Sequence, residues 1–434
     1  MPVASALSRR EATGRSSHAQ RTCWHEFQVV HDMSLYEKIS STGLAVEQKI
    51  FRWLARLDEG SWTGREWRLA ILIGVFAWAS SMLLYSPAIW TLMQPGRIEQ
   101  SRAGDFLRLC ANPLTRDLRE PILAFRPVTP LLCWLLRLPR WGCLVLPYLF
   151  TIGTLACICR TVARRVDNAS GVLATLAVAL SWTVVWPNTK LGMPDGVTHF
   201  ATAVCLLTGT PGWWIAMTIA GTLNDERFML AIPFVLLWHA WPAASMGEAW
   251  RKTWKLLLAF GAGLLVVMLI RHALKVGWIG SGITIEQDYT NAQRFRTDLS
   301  GWLREEGFIC LANTMMAWRW LWLVWLAALC AAWRQGVRWW AGLVASGLFA
   351  VVIASSFVAD VSRSIGFAFP AVLGVWLAAE KLRPEAARRW LWWGVLLCVV
   401  TPNFYFTDHV QWSRPLPLSV LRWLTGWDLL TILH

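Results

Sequence analysis

The sequence predicts an all-α protein: a polytopic bundle of transmembrane helices, about eleven membrane segments in all, with loops gathered on an outer face. Three observations carry that expectation. Hydrophobic residues make up 56% of the 434 and charged residues only 16%, with a mean hydropathy of +0.41. A water-soluble chain of this length needs far more charge to cover its surface. Tryptophan outnumbers tyrosine 32 to 5, which suits many membrane–water interfaces, where the indole is buried and its N–H stays wet. The net charge of +14 forms no stripe and sits in short clusters between apolar runs. That pattern orients a multi-spanning chain, so nucleic acid is not an expected partner.

Residues 1–66 are polar, basic and rich in Ser and Arg, without an apolar h-region. They read as a cytoplasmic N-terminal segment and not as a cleavable secretory signal; Met33 is an alternative start. From Leu44 to Leu57 a helical pattern sets Val46, Ile50, Phe51, Leu54 and Leu57 opposite Lys49, Arg52 and Arg56. This is an amphipathic helix lying on a membrane surface. Residues 67–434 form the multi-spanning domain.

A span needs roughly 20 apolar residues, fewer where a helix is broken. On that rule spans fall near 69–92, 142–160, 171–187, 196–209, 254–271, 314–333, 339–358, 364–379 and 391–407. Pro127 to Leu136 is an apolar shoulder leading into the second span, and Leu418 to Leu433 is short enough to lie at the interface. The region Trp213 to Trp241 admits two readings. As one helix it places Asn224-Asp225-Glu226-Arg227 near mid-bilayer, where each ionised group costs at least a few kcal/mol. As two segments, 213–223 and 227–241, it puts them at a turn near one surface. Only the split keeps Arg160, Arg164 and Arg165; Arg251, Lys252 and Lys255; Arg334 and Arg338; and Lys381, Arg383, Arg388 and Arg389 on the side of the basic N-terminal tail, as the positive-inside rule asks. The split is therefore the expectation. It implies a multi-pass protein of the plasma (inner) membrane with its N-terminus in the cytoplasm.

In this topology the remaining charges come to the outer side. The first outer loop, Gln94 to Arg126, carries Asp105, Asp117, Glu120 and Arg126. Lys190 and Asp195 precede the fourth segment, Asn224 to Arg227 form the break, and Asp360 and Arg363 lie between two late spans. A long polar loop from His272 to Asn313 is placed to cover them. Charge from separate stretches at one surface describes a site, against the plainer reading that loops are where charge can live. Asp195 and His199, four apart at a helix start, share one face and could hold a divalent metal with Glu226 as third ligand. An Asp at a helix start is more often a cap or dipole partner. The metal reading is not favoured, no metal ligand is assigned, and any cofactor is left unknown.

Ten cysteines show no C-x-x-C pair and no zinc-ligand spacing. Cys133, Cys143, Cys157, Cys159, Cys205, Cys330 and Cys398 lie in or beside apolar runs and read as small core residues. Cys110 and Cys310 fall in the two long polar loops, which leaves a disulfide between them open.

An acidic first outer loop, a later acidic turn within a broken span, outer-face arginines and a long outer loop together resemble the C-type (GT-C) membrane glycosyltransferases. The resemblance is one of layout and covers roughly Arg68 to Thr407. That family often has a D-E or D-x-D pair in its first outer loop. This sequence instead has Gly104-Asp105-Phe106 and, separately, Asp117-x-x-Glu120. Further on, Glu120-Pro121 and Phe125-Arg126-Pro127-Val128-Thr129-Pro130 set prolines where the chain meets the membrane again. The resemblance implies transfer of a sugar from a polyprenyl-phosphate donor to a glycan or protein acceptor on the outer face, with membrane lipid as a further partner. The chemistry needs a carboxylate base, for which Asp105 and then Glu120 are the candidates. It also needs cations for the phosphate leaving group, for which Arg126, Arg227 and Arg363 are the candidates. Asp195, Asp225, Glu226 and Asp360 would orient those arginines or the substrate. A polysaccharide polymerase or ligase would use similar groups. The alternatives from other classes are a transporter, which a broken helix also suits but without a matching repeat here, and a non-catalytic envelope-assembly scaffold.

Overall fold

The computed structural model describes residues 65–85, 102–115, 121–189, 191–279, 299–357, 360–379, 384–401, 403–406 and 410–413, with isolated positions Ala45, Gln48, Lys49, Arg52, Ile98, Leu118, Val420, Leu424 and Thr425. The chain divides into Met1–Ser61 and Trp62–His434. In the first unit Ala45, Gln48, Lys49 and Arg52 are helical and exposed, with Arg52 Nε donating to the Gln48 carbonyl at 3.3 Å. The apolar side of the expected surface helix lies outside the described residues.

The second unit is helical. Its helices are α1 (Glu66–Tyr85), α2 (Arg102–Ala111), α3 (Val128–Leu135), α4 (Arg140–Arg165), α5 (Asn168–Leu180), α6 (Trp182–Thr189), α7 (Asp195–Leu207) and α8 (Pro211–Asn224). They continue with α9 (Phe228–Ala240), α10 (Met246–Val276), α11 (Leu299–Trp318), α12 (Leu321–Arg334), α13 (Arg338–Ser356), α14 (Val361–Gly366), α15 (Pro370–Ala379) and α16 (Pro384–Val400). A 3₁₀ turn at Pro121–Phe125 leads into α3. Among the described residues α1, α4, α10 and α13 are long and apolar enough to cross a membrane, and the bent pairs α5–α6 and α11–α12 bring the number of candidate spans to six. They leave Leu72, Phe76, Leu83, Leu258, Leu265, Met268 and Phe349 exposed. So much outward apolar surface suits lipid better than water.

Several expected boundaries shift for local reasons. The helix over 254–271 begins earlier, at Met246, because Ser245 caps it by accepting from Glu248 N at 3.3 Å while Glu248 accepts from Ala244 N at 2.8 Å. It stops where Gly277 takes φ 84°. The long polar loop is shorter than expected, since Leu299–Trp318 is already helix. The stretch 364–379 divides into α14 and α15. The expected final span 391–407 ends at Val400, after which β1 (Asn403–Phe406) and β2 (Val410–Ser413) pair antiparallel with Asn403 opposite Ser413.

The helices run between two chemically distinct ends. At one end Glu66 of α1 pairs with Arg160 of α4, and Arg388 of α16 pairs with Asp167, the cap of α5, at 2.7 Å. There too Arg165 Nη1 donates to the Trp238 carbonyl of α9 at 2.8 Å. At the other end lie the start of α7, the break between α8 and α9, and the turn into α14. Helix α7 is central, with Asp195 to Leu206 buried almost throughout. It reaches α4 because Gly196 has no side chain: a Cβ there would stand 2.2 Å from the Pro147 carbonyl oxygen.

A candidate site at the helix break

Asn224 builds the break. Its amide donates to the Pro194 carbonyl and to Thr198 Oγ1, both at 2.8 Å, and its oxygen accepts from Thr129 Oγ1 at 2.6 Å. These bonds tie α8 to α7 and to α3 while the chain turns. Asp225 follows in extended conformation (φ −156°, ψ 124°) and Arg227 starts α9. The split expected from the charge pattern is thus a real interruption of the helix.

Asp225 is wholly buried and gathers three guanidinium groups. Arg227 meets it side-on through Nε at 2.8 Å and Nη2 at 2.6 Å, and donates its backbone N–H at 3.1 Å. Arg126 Nη1 lies 3.1 Å from Asp225 Oδ2, and Arg363 Nη2 lies 3.5 Å from the same oxygen. Burial alone would raise the pKa of Asp225, but Arg126, Arg227 and Arg363 together hold it well below the usual carboxylate range.

Arg363 is the second centre. It grips Asp195 with a two-point fork, Nε to Oδ2 at 2.7 Å and Nη2 to Oδ1 at 2.5 Å, and reaches Asp360 at 3.2 Å. Fork geometry of this kind is the strong form of an ion pair. It fastens α14 to the start of α7. At the rim, Glu226 accepts from Arg126 Nη2 at 2.9 Å and lies 3.4 Å from Arg271, which also donates to the Thr222 carbonyl at 3.0 Å. The rim is partly wet: side-chain exposure is 40% at Glu226, 34% at Asp360 and 31% at Arg271, against 4% at Arg363.

Of the residues expected at the site, Arg126, Asp195, Asp225, Glu226, Arg227, Asp360 and Arg363 come together in this one cluster. Asp105 is not among them in any ion pair described above. It sits in the first turn of α2, buried, 3.7 Å from Arg108 on the same helix, whereas the sequence reading puts it in a loop. Glu120 and Asp117 lie outside the described residues. The metal reading of Asp195, His199 and Glu226 does not hold: arginines occupy both carboxylates, and the three do not converge. His199 packs between Phe367 and Phe369, with ring centroids at 4.7 and 5.9 Å. Neither of its nitrogens has a hydrogen-bond partner. Nor do Cys110 and Cys310 form a disulfide. Both are free thiols, and Cys310 Sγ lies 3.2 Å from Ser356 Oγ.

Two features escaped the sequence. Arg271 ends an apolar run and so resembles any end-of-span arginine; its place opposite the break was the available signal. Arg319 takes φ 51° at the corner between α11 and α12 and donates to Tyr85 Oη at 2.6 Å and the Cys398 carbonyl at 3.0 Å. That corner bends the pair by 77°.

The cluster described above holds four arginines against four carboxylates, so it is neutral as it stands. It can accept an anion only where a rim carboxylate yields its arginine, at Glu226 or Asp360. No protein-family model, curated protein or solved structure matches this chain.

Proposed function

We propose that this chain is a membrane glycosyltransferase of GT-C layout, moving a sugar from a polyprenyl-phosphate donor to an acceptor on the outer face. In this reading it crosses the membrane in about eleven segments, with its N-terminus in the cytoplasm. The observation that carries the proposal is the convergence of Arg126, Asp195, Asn224 to Arg227, Arg271 and Asp360 to Arg363 at one end of the helices. Charged groups from five stretches, embedded in an apolar bundle, are costly unless a function uses them. The donor phosphate binds at the rim, where Arg271 leaves Glu226 and Arg227, whose Nη1 lies 4.0 Å from Asp360, turns from that carboxylate to phosphate oxygens. Guanidinium groups hold such oxygens in pairs and stabilise the charge that grows as the sugar leaves. Arg363 and Asp195 act behind them, keeping α14 and α7 in place. Asp105, or Glu120 in its stead, takes the acceptor's hydroxyl proton.

The test is transfer of labelled sugar from polyprenyl-phosphate donors in membranes carrying the chain, with donor binding measured separately. Asp105→Asn is expected to lower transfer by about 10²- to 10⁴-fold while donor binding persists, and Arg271→Ala to weaken binding. Near-normal transfer by Asp105→Asn moves the base to Glu120. Failure of the unaltered chain to transfer from any such donor overturns the proposal. One observation favours a second reading, an assembly scaffold: every carboxylate of the cluster already has an arginine.

A further inference from the structure

We infer that Cys110, Cys133 and Cys143 form a zinc site in the layer made by α2, α3 and the first turns of α4. The three residues come from three different helices, and their sulfurs all lie within 4.8 Å of one another. Three thiolates at about 2.3 Å around a tetrahedral Zn²⁺ stand about 3.8 Å apart. Side-chain rotations of about 1 Å therefore close the site without moving the backbone. All three are free and buried.

The plainer reading is core packing, since Ile98, Phe106, Leu144 and Leu191 surround them. Packing alone has no need for three sulfurs to converge; any small apolar side chain would fill those positions. A second feature points to a ligand. A cavity of about 490 Å³ opens beside Cys110 and Cys143, walled also by Gly104, Arg108, Leu138 and Arg140. It leaves room for a water or an incoming group as fourth ligand, as in zinc sites with three protein ligands. Binding releases the three thiol protons and leaves one net negative charge, in a cavity whose wall carries Arg108 and Arg140. No carboxylate or imidazole among the described residues joins the three sulfurs, so the donor set is soft and selects a thiophilic ion over calcium or magnesium. The site would pin α2 and α3 to α4, and with them the strand of chain that delivers Arg126.

The full chain, purified in detergent under reductant, is loaded with Zn²⁺ and washed. One zinc per chain is expected, with X-ray absorption showing three sulfur neighbours at about 2.3 Å and one lighter atom. Co²⁺ in place of zinc should give a thiolate-to-metal charge-transfer band. Both signals should vanish in Cys133→Ser and persist in Cys157→Ser. Because the unaltered chain reports its own ligand set, poor folding of Cys133→Ser does not blunt the test. Absence of zinc, or zinc with only oxygen and nitrogen neighbours, overturns the inference. So does a disulfide among the three cysteines that, once reduced, still yields no metal uptake.

Discussion

Asp225 carries the largest electrostatic load of any single residue at the break. Its depressed pKa has a definite sign in linkage: the stabilisation is present above the ordinary carboxylate range and is lost as pH falls through the folded value. Unfolding in detergent should therefore be nearly independent of this group at neutral pH and should show an acid limb below about pH 4. Asp225→Asn should weaken that limb and cost about 3–5 kcal/mol at neutral pH, because three guanidinium groups lose a buried partner. An unchanged acid limb in the variant would show that other carboxylates govern it. Arg227 offers a second test. Arg227→Ala removes the side-on pair and should destabilise by a similar amount, whereas Arg227→Lys keeps the charge without the planar fork. The lysine variant should restore the melting temperature further than it restores donor binding. Equal recovery of both would make the arginine's shape irrelevant. These residues were legible in the sequence because Asn-Asp-Glu-Arg and Asp-Val-Ser-Arg stand between apolar runs, where unpaired charge is expensive. Which carboxylate each arginine takes was not legible, since the pairs link positions as far apart as Asp195 and Arg363.

At the level of elements, the position of the cluster depends on how closely α7 approaches α4. Gly196→Ala would bring a methyl group to 2.2 Å from the Pro147 carbonyl oxygen and 2.6 Å from Thr151 Oγ1. The backbone oxygen cannot rotate away, so α7 must retreat and draw Asp195 from Arg363. A loss of about 1–3 kcal/mol is expected from the overpacking, with donor binding weakened alongside. Gly247→Ala is the control: nothing stands within 4 Å of its added methyl. If the two variants melt alike, the contact between α7 and α4 does not limit stability. Helix positions were largely legible because apolar runs bounded by charge, glycine or proline repeat at helical length. The bends were not. Those of 47° between α5 and α6 and 77° between α11 and α12 follow no apolar period, and Arg319 at the second corner sits on Tyr85, a residue far off in the sequence. The cysteine trio was hidden for the same reason: its spacing of 110, 133 and 143 is set by three helices meeting, not by a motif.

Over the whole unit, the four-arginine cluster lies at one end, and Arg160, Arg165 and Arg388 lie at the other. The proposed topology puts that second end in the cytoplasm, following the positive-inside rule. Cysteine placed at Asn112, which is exposed beyond α2, should react with a membrane-impermeant maleimide on intact cells, measured against the parent chain. Cysteine at Gly247, exposed at the start of α10, should react only after permeabilisation. The reverse pattern would invert the topology and remove the outer-face site. The packing of Gly196 on Pro147 has a further consequence, one of depth. Helix α4 begins at Arg140 and so runs on for about 10 Å past the level of Asp195. Helices α2 and α3 occupy that layer, and Thr129 of α3 is bonded directly to Asn224. If that layer roofs the charged cluster, access to it is screened by size as well as by polarity. A small methanethiosulfonate reagent should modify cysteine at Glu226, whereas a polymer-linked maleimide should reach cysteine at Asn112 and stop short of Glu226. Under the proposed transfer reaction, a bulky acceptor would then have to present its hydroxyl on a narrow end. Polymer labelling at both positions would instead place the cluster flush with the surface.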